Sequence, residues 1–585
     1  MFMRLFLAIL PLFFCGSMAY AAPEDDFATL LDEAWEWRLA EYPVFASRLG
    51  DRRYNDRWTD LSLDAFEQRH ASRRDFLHRL RSIDPAMLSA SDQLNYDLFA
   101  RQLQNDIDAH QFSAYLMPIS QRGGVQSLES TAEGLTLQTV QDYEEWLARI
   151  ASIEEVIEQT MQLQEAGRKS GYMPPKILMQ RLPAQIDAQL VENGADSPLY
   201  KAFAQMPETI SAEDQERLRR KAITIIEDSV VPAYRRFSRY MNKTYLPASR
   251  DSIGASSLPN GEAFYEYRVR RFTTTQMTPD EIHRLGLNEV ARIRAQMQLI
   301  IDELEYAGSF QDFLQFLRTD PQFYFETAEE LFDAYLAICK RIDPQLVRLF
   351  GKLPRMPYGL RAIADNIAPD TTTAYYSRPA GDGSRAGYYY VNLYRPEVRP
   401  KYEMEVLSVH EAVPGHHLQI ALQMEMDEMP EFRRYAGFTA FTEGWGLYSE
   451  SLGADLGLYK DAYSRFGALT YEMWRAVRLV VDTGMHYKGW TRQQAIDFFK
   501  DNAAKTELDI INEIDRYIGW PGQALAYKIG QLKISELRSK AEQTLRDDFD
   551  IREFHDALLG GGALPLEILE TRMNHWLADQ LRSRR

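Results

Sequence analysis

At 585 residues, 45% hydrophobic and 26% charged, the chain has the length and composition of a globular protein with a large core. Disorder, collagen-like repeats and a disulfide-stapled miniprotein are thereby excluded. Its 67 Lys and Arg stand against 85 Asp and Glu, a formal charge of −18 that repels phosphate backbones and anionic lipid headgroups, so no nucleic acid is expected as a partner.

The first 21 residues read as a secretory signal. Arg4 gives a positive start, Leu5 to Phe14 is almost wholly apolar, and Ala19-Tyr20-Ala21 is a small-x-small cleavage pattern. The apolar run is shorter than the roughly 20 residues that span a bilayer, and no later stretch is long enough, so no membrane span is expected. A lipid-modified Cys15 is the weaker alternative, because Phe13 and Phe14 stand where small residues are needed. The expected location is therefore exported, most simply periplasmic. Only Cys339 would remain in the mature chain, so no internal disulfide is expected.

From residue 22 to about 250 the sequence is a succession of helical patterns; Tyr96, Phe99, Leu103 and Ile107 are spaced by three, four and four residues among polar neighbours. The Pro-, Ser- and Gly-rich stretch 247–260 marks a candidate boundary between this helical region and a second one over 251–585, which holds the chemistry. Thr278-Pro279-Asp280-Glu281 combines an N-cap hydroxyl, a first-turn proline and a carboxylate at the third position, predicting a long helix to about Tyr306. Ala374 to Tyr394, with six closely placed Tyr and Val residues on either side of a Pro-Gly-Gly-containing turn, predicts a small antiparallel β-hairpin, the chief strand pair of the chain.

Three of ten histidines fall within eight residues: His410-Glu411-Ala412-Val413-Pro414-Gly415-His416-His417. Neutral imidazoles are good Zn2+ ligands, and a Glu beside the first can take a proton from water. On a straight helix His416 would stand about 240° round from His410, and His417 about 10 Å further along the axis. Neither could share an ion with His410 unless the backbone leaves the helix between them, and Pro414-Gly415 supplies a reason for it to do so. The segment thus reads as H-E-x-x-H interrupted by two residues, with His416 the preferred second ligand and His417 still open. A third ligand is expected from the helix that begins near Phe438: Glu443 lies 27 residues beyond His416, Gly444 and Gly446 permit close backbone approach, and Glu450 is placed to orient a ligand. Arg475, Arg478, Asp482 and His486 share one face of a further helix. Asp482 holding His486 so that its other nitrogen stabilises a tetrahedral intermediate competes evenly with a plain buried ion-pair network. Arg516-Tyr517 and Tyr527 add phenols able to donate to the same oxygen.

With Leu258-Pro-Asn-Gly-Glu262, Thr278-Pro-Asp-Glu-Ile-His283 and Arg516-Tyr517 through Gly530, these motifs resemble those of the bacterial domain-of-unknown-function 885 family over nearly the whole mature chain. That family in turn resembles helical zinc peptidases such as carboxypeptidase Taq, thimet oligopeptidase and angiotensin-converting enzyme. The resemblance implies a mostly α, two-lobed zinc-peptidase-like fold with the hairpin at a cleft, and Zn2+ on His410, His416 and Glu443. It implies Glu411 as general base and His486 or Tyr527 polarising the carbonyl. It also makes Gly387 to Asn392 an edge strand that pairs with an extended peptide. The expected function is a metallopeptidase hydrolysing a peptide or amide; the competing one is an exported peptide-binding protein that keeps the cleft without catalysis.

Overall fold

The computed structural model describes residues 23–583 except 366, 367, 371, 382 and 384. The signal segment and Cys15 lie outside the described residues. Helix accounts for 70% of the structure and strand for 3%. Among the described residues no helix is long and apolar enough to cross a membrane.

The elements that matter for the site are, in chain order, α1 (Pro23–Glu41), α2 (Ala90–His110), α3 (Gly261–Thr273) and α4 (Pro279–Glu303), then β1 (Tyr358–Ala362), β2 (Ala374–Ser377) and β3 (Gly387–Val391). They are followed by α5 (Met404–Glu411), α6 (His416–Met424), α7 (Thr439–Ser451), α8 (Ala462–His486), α9 (Glu507–Gly519) and α10 (Ala526–Leu545). The predicted periodic face of α2 turns inward, with Phe99 and Leu103 buried and Tyr96 and Ile107 half-buried. The start of α4 is the expected capping box: Thr278 Oγ1 accepts from the Glu281 N–H and the Glu281 carboxylate accepts from the Thr278 N–H, satisfying two of the donors a helix start leaves open.

Helix α8 is the spine. From Thr470 to His486 all but Glu472 is buried, so it lacks the polar face of a surface helix and is packed on several sides. Helix α4 lies along it, and α5, α7, α9 and α10 also touch it. One continuous hydrophobic core runs from Phe27 to Leu577. Helices α7 and α10 cross closely because Gly444 and Gly530 meet: a Cβ on Gly444 would come within 2.6 Å of the Gly530 backbone. The segment 247–260 is irregular, as its composition predicts, and consists of one short helix, a single 3-10 turn and bends.

The strand region departs from expectation. β2 and β3 do pair antiparallel, with Ala374 opposite Val391, but β1 pairs parallel on the other side of β3, with Tyr358 opposite Gly387. The sheet order is β1-β3-β2. β3 is therefore the central strand, hydrogen-bonded on both sides, and cannot be the edge to which a peptide adds; β1 and β2 are the edges. β1, with only Tyr358, Leu360 and half-exposed neighbours, has no hydrophobic alternation strong enough to announce it from sequence.

Candidate metal centre

Helix α5 ends abruptly. Ala412 leaves the helical region at φ −95°, ψ −107°, the chain passes through Val413-Pro414, and Gly415 at φ −70°, ψ −125° starts α6. The turn is tied by the Gly415 N–H to the Val409 carbonyl at 2.9 Å and by the His417 N–H to the Ala412 carbonyl at 3.0 Å. Trp445 of α7 donates its indole N–H to the Pro414 carbonyl at 2.8 Å, so the partner helix clamps the bend. A side chain at 415 would collide with the backbone carbonyls of Val409 and His410, which is why glycine stands there. The consequence is that two histidines six positions apart face each other, their ring centroids 4.7 Å apart at 85°.

Glu443, one turn into α7, completes the set. Its Oε2 lies 3.3 Å from His416 Nε2 and 3.7 Å from His410 Nε2, and the three donor atoms all fall within 4.8 Å of one another. Four ligands placed tetrahedrally at the ~2.1 Å bonds of zinc stand about 3.4 Å apart, so the His–Glu spacings are those of ligands to one ion. Two imidazoles and one carboxylate are the donor types that a zinc ion in a hydrolytic site takes. A Cβ on Gly446 would lie 2.8 Å from the His410 ring, so this glycine gives the imidazole its space against α7.

The ligands are held from behind. His410 Nδ1 donates to Glu450 Oε1 at 2.7 Å, which leaves Nε2 for an ion, and Arg475 Nη2 braces the same oxygen at 3.3 Å. Carboxylate–imidazole pairs of this kind fix the tautomer and raise ligand basicity. Burial opposes charge on His410, but Glu443 and Glu450 outweigh it and hold the imidazole at about 9. Burial likewise opposes charge on Glu443, and the charges of His416 and His410 hold its carboxyl well below the usual range. The two histidines and Glu443 thus form a buried cluster of opposite charges. Glu411, the residue after His410, is half-buried, lies within electrostatic range of His410 and Tyr389, and makes no ion pair or hydrogen bond among the described residues.

His417 is excluded by its own bonds. Its Nε2 donates to the Met356 carbonyl at 3.0 Å and its Nδ1 accepts from the Tyr376 hydroxyl at 2.9 Å. Burial keeps it neutral, with its pKa lowered to about 4. Tyr376 of β2 comes within 6.5 Å of the His416 ring, a neighbour the sequence did not single out.

The stripe on α8 divides. Arg475 reaches the His410–His416–Glu443 cluster through Glu450. His486 does not: its Nδ1 accepts from the Ala255 N–H and its Nε2 donates to the Tyr517 carbonyl, both at 3.0 Å, in a fully buried position. Asp482 does not hold it either, because that carboxylate accepts from the Tyr265 hydroxyl at 2.6 Å and from the Gly522 N–H at 3.1 Å. The reading of His486 as an oxyanion donor is therefore corrected; with both nitrogens on backbone, it is a clasp between α8, α9 and the segment before α3. Tyr517 is similarly consumed, donating to Glu513 at 2.7 Å while accepting from Trp474 and Arg478. Tyr527 lies within electrostatic range of Glu443: Arg478 stacks on its ring at 4.3 Å, burial together with the Glu443 charge pushes its phenol up, and its hydroxyl is hydrogen-bonded with Gln523.

Residues 43–573 match the bacterial protein family of unknown function DUF885. The chain belongs to that family. No curated protein matches it. A solved structure described as a "putative lipoprotein from Colwellia psychrerythraea" is 27% identical with a TM-score of 0.88, covering 96% of this chain and 100% of its own. A second solved structure, a "putative lipoprotein of unknown function from Shewanella oneidensis", is 17% identical with a TM-score of 0.71, covering 94% of this chain and 99% of its own.

Proposed function

We propose that this DUF885 protein is an exported, periplasmic zinc hydrolase of the two-lobed helical peptidase type, cleaving peptide or amide bonds. The observation that carries the reading is the convergence of His410, His416 and Glu443 at ligand spacing, with an unpaired carboxylate, Glu411, beside the first of them. His410, His416 and Glu443 would hold the ion, which when bound supplies a Lewis acid for the carbonyl and makes a coordinated water more acidic.

The chain's own groups account for the rest. Glu411 takes a proton as the water oxygen attacks the carbonyl carbon, then returns it to the amide nitrogen as the C–N bond breaks, so the products are a carboxylic acid and an amine. Tyr527 donates its hydroxyl to the oxygen on which charge develops. Glu450 and Arg475 keep His410 in one tautomer and orientation. β2, an edge strand whose Tyr376 comes within 6.5 Å of the His416 ring, offers main-chain groups to which an extended substrate can pair.

The test is metal analysis and peptide cleavage of the parent and of Glu411→Gln. Stoichiometric zinc in both, with cleavage of peptide libraries lost by at least a hundredfold in Glu411→Gln, supports the reading. Zinc in both with no cleavage by the parent makes it a binding protein that keeps the site, and absence of zinc from both overturns it.

A further inference from the structure

A cavity of about 430 Å³, within the range of small-molecule sites, lies among α1, α2, α3 and the loop that leads into α7. His410, His416 and Glu443 are not in its walls, so it is a second concavity with chemistry of its own. Solvent reaches it, since Trp35, Arg38, Phe45 and Tyr435 are each only half-buried.

Aromatic rings shape one end. Trp35 and Tyr435 stack with centroids 5.7 Å apart at 16°, and Phe45 stands edge-on to Trp35 at 5.9 Å and 80°. The Arg38 guanidinium sits in the corner so formed, 4.6 Å from the Phe45 ring and 6.0 Å from that of Trp35. Such rings attract a cation, but they give its N–H groups no strong acceptor.

The charges in the walls do not balance. Three guanidinium groups, Arg38, Arg73 and Arg271, line the cavity with a single carboxylate, Asp106. Asp106 is spent on two of them: Oδ1 accepts from Arg271 at 3.2 Å, and Oδ2 lies 3.7 Å from Arg73. Arg73 also donates to the Tyr42 hydroxyl at 2.5 Å, and Arg271 to the Tyr267 hydroxyl at 2.7 Å. Arg38 has neither an ion pair nor a side-chain hydrogen bond among the described residues, and burial lowers its pKa. A guanidinium withdrawn from water without an acceptor is costly, and an anion arriving in the cavity recovers that cost, two oxygens of one carboxylate matching the guanidinium fork. One free guanidinium calls for one negative charge, and Asp106 in the same walls repels a second.

We infer that this cavity is a binding site for a flat aromatic monocarboxylate, with its carboxylate on Arg38 and its rings among the apolar walls beside the Trp35–Tyr435 pair. The site stands apart from the hydrolase reading and does not depend on it.

The experiment titrates full-length protein by calorimetry, in chelator so that no metal offers the probe a second seat. The probes are 2-naphthoate and 2-naphthamide, which has the same rings and no charge. Naphthoate is expected to bind one-to-one and about tenfold or more tighter than the amide. Arg38→Met keeps the bulk of the stem and removes the charge; it should bring the acid down to the level of the amide and leave the amide unchanged. Arg38→Gln is made in parallel, so that a lowered melting temperature in one variant leaves the other to decide, and the acid–amide comparison on the parent needs no variant at all. A third probe, 2-naphthyl phosphate, carries close to two negative charges at neutral pH and should bind no tighter than naphthoate. No binding of naphthoate, equal binding of acid and amide, an acid preference that persists in both Arg38 variants, or tighter binding of the phosphate would each overturn the inference. Peptide cleavage plays no part in these readouts, so failure of the hydrolase reading and failure of this site are told apart.

Discussion

Substituting Gly446 by alanine tests the metal centre from a residue that binds nothing. The added Cβ would stand 2.8 Å from His410 Cε1 and 2.9 Å from Nε2, whereas ordinary contact begins at 3.4 Å, so the ring must retreat by about 0.6 Å. It has little freedom to do so, because Nδ1 is bonded to Glu450 at 2.7 Å and the ring is 2% exposed. A shift of that size exceeds the roughly 0.5 Å tolerance of a working first shell, and overpacking of this kind costs about 1–3 kcal/mol. Zinc affinity should therefore fall about 5- to 150-fold, measured by competition with a chromophoric chelator. Helix propensity acts in the opposite direction, since alanine favours an α-helix over glycine by about 1 kcal/mol, so a general weakening of α7 is not the expected cause. Gly123→Ala, where nothing lies within 4 Å of the new atom, is the control. Zinc affinity within twofold of the parent in Gly446→Ala would refute the placement of His410 as a ligand.

Glu450→Gln keeps the shape but removes the carboxylate behind His410, and should weaken zinc about 10- to 100-fold in the same titration; an unchanged constant would remove Glu450 from the site. His416→Ala should lose zinc while His417→Phe keeps it, because His417 spends both nitrogens on Met356 and Tyr376; the opposite pattern in metal analysis would reverse the assignment. His486→Ala should leave zinc affinity unchanged yet lower stability by about 2–4 kcal/mol in denaturant unfolding, since it orphans the Ala255 N–H and the Tyr517 carbonyl. Acid should destabilise the fold through buried neutral histidines. His486 and His555 are lowered by burial to about 4 and about 3, so they stay neutral when folded but take up protons when unfolded as pH falls below 6.5. Their contribution is fully present above pH 6.5 and is lost towards pH 4, about 3 kcal/mol each. His555→Phe should flatten the fall of melting temperature between pH 6.5 and 4, and an unaltered slope would disprove the contribution.

Local signals in this chain were strong wherever the chemistry is local. The Thr278 capping box and the α2 periodicity concern neighbours within a turn or two, and both appear as read. The His-Glu motif with Pro414-Gly415 inside it was legible for the same reason: the break is a property of six consecutive residues, and only its exact fold-back awaited the tertiary contacts. The α8 stripe shows the limit. Helical spacing correctly put Arg475, Arg478, Asp482 and His486 on one face, but a face 25 residues long meets different partners along its length, α7 at Arg475 and the segment before α3 at His486. β1 was missed because a parallel partner 29 positions away leaves no mark in its own five residues.

What the amino-acid order determined by itself was the helical class, the family, and which side chains have ligand and base chemistry. Which histidine meets the carboxylate and which tyrosine comes within range of it depend on contacts between residues tens to hundreds of positions apart. Those are settled by how the core packs: a buried polar atom takes whatever partner the fold brings within 3 Å, and composition cannot say which that is.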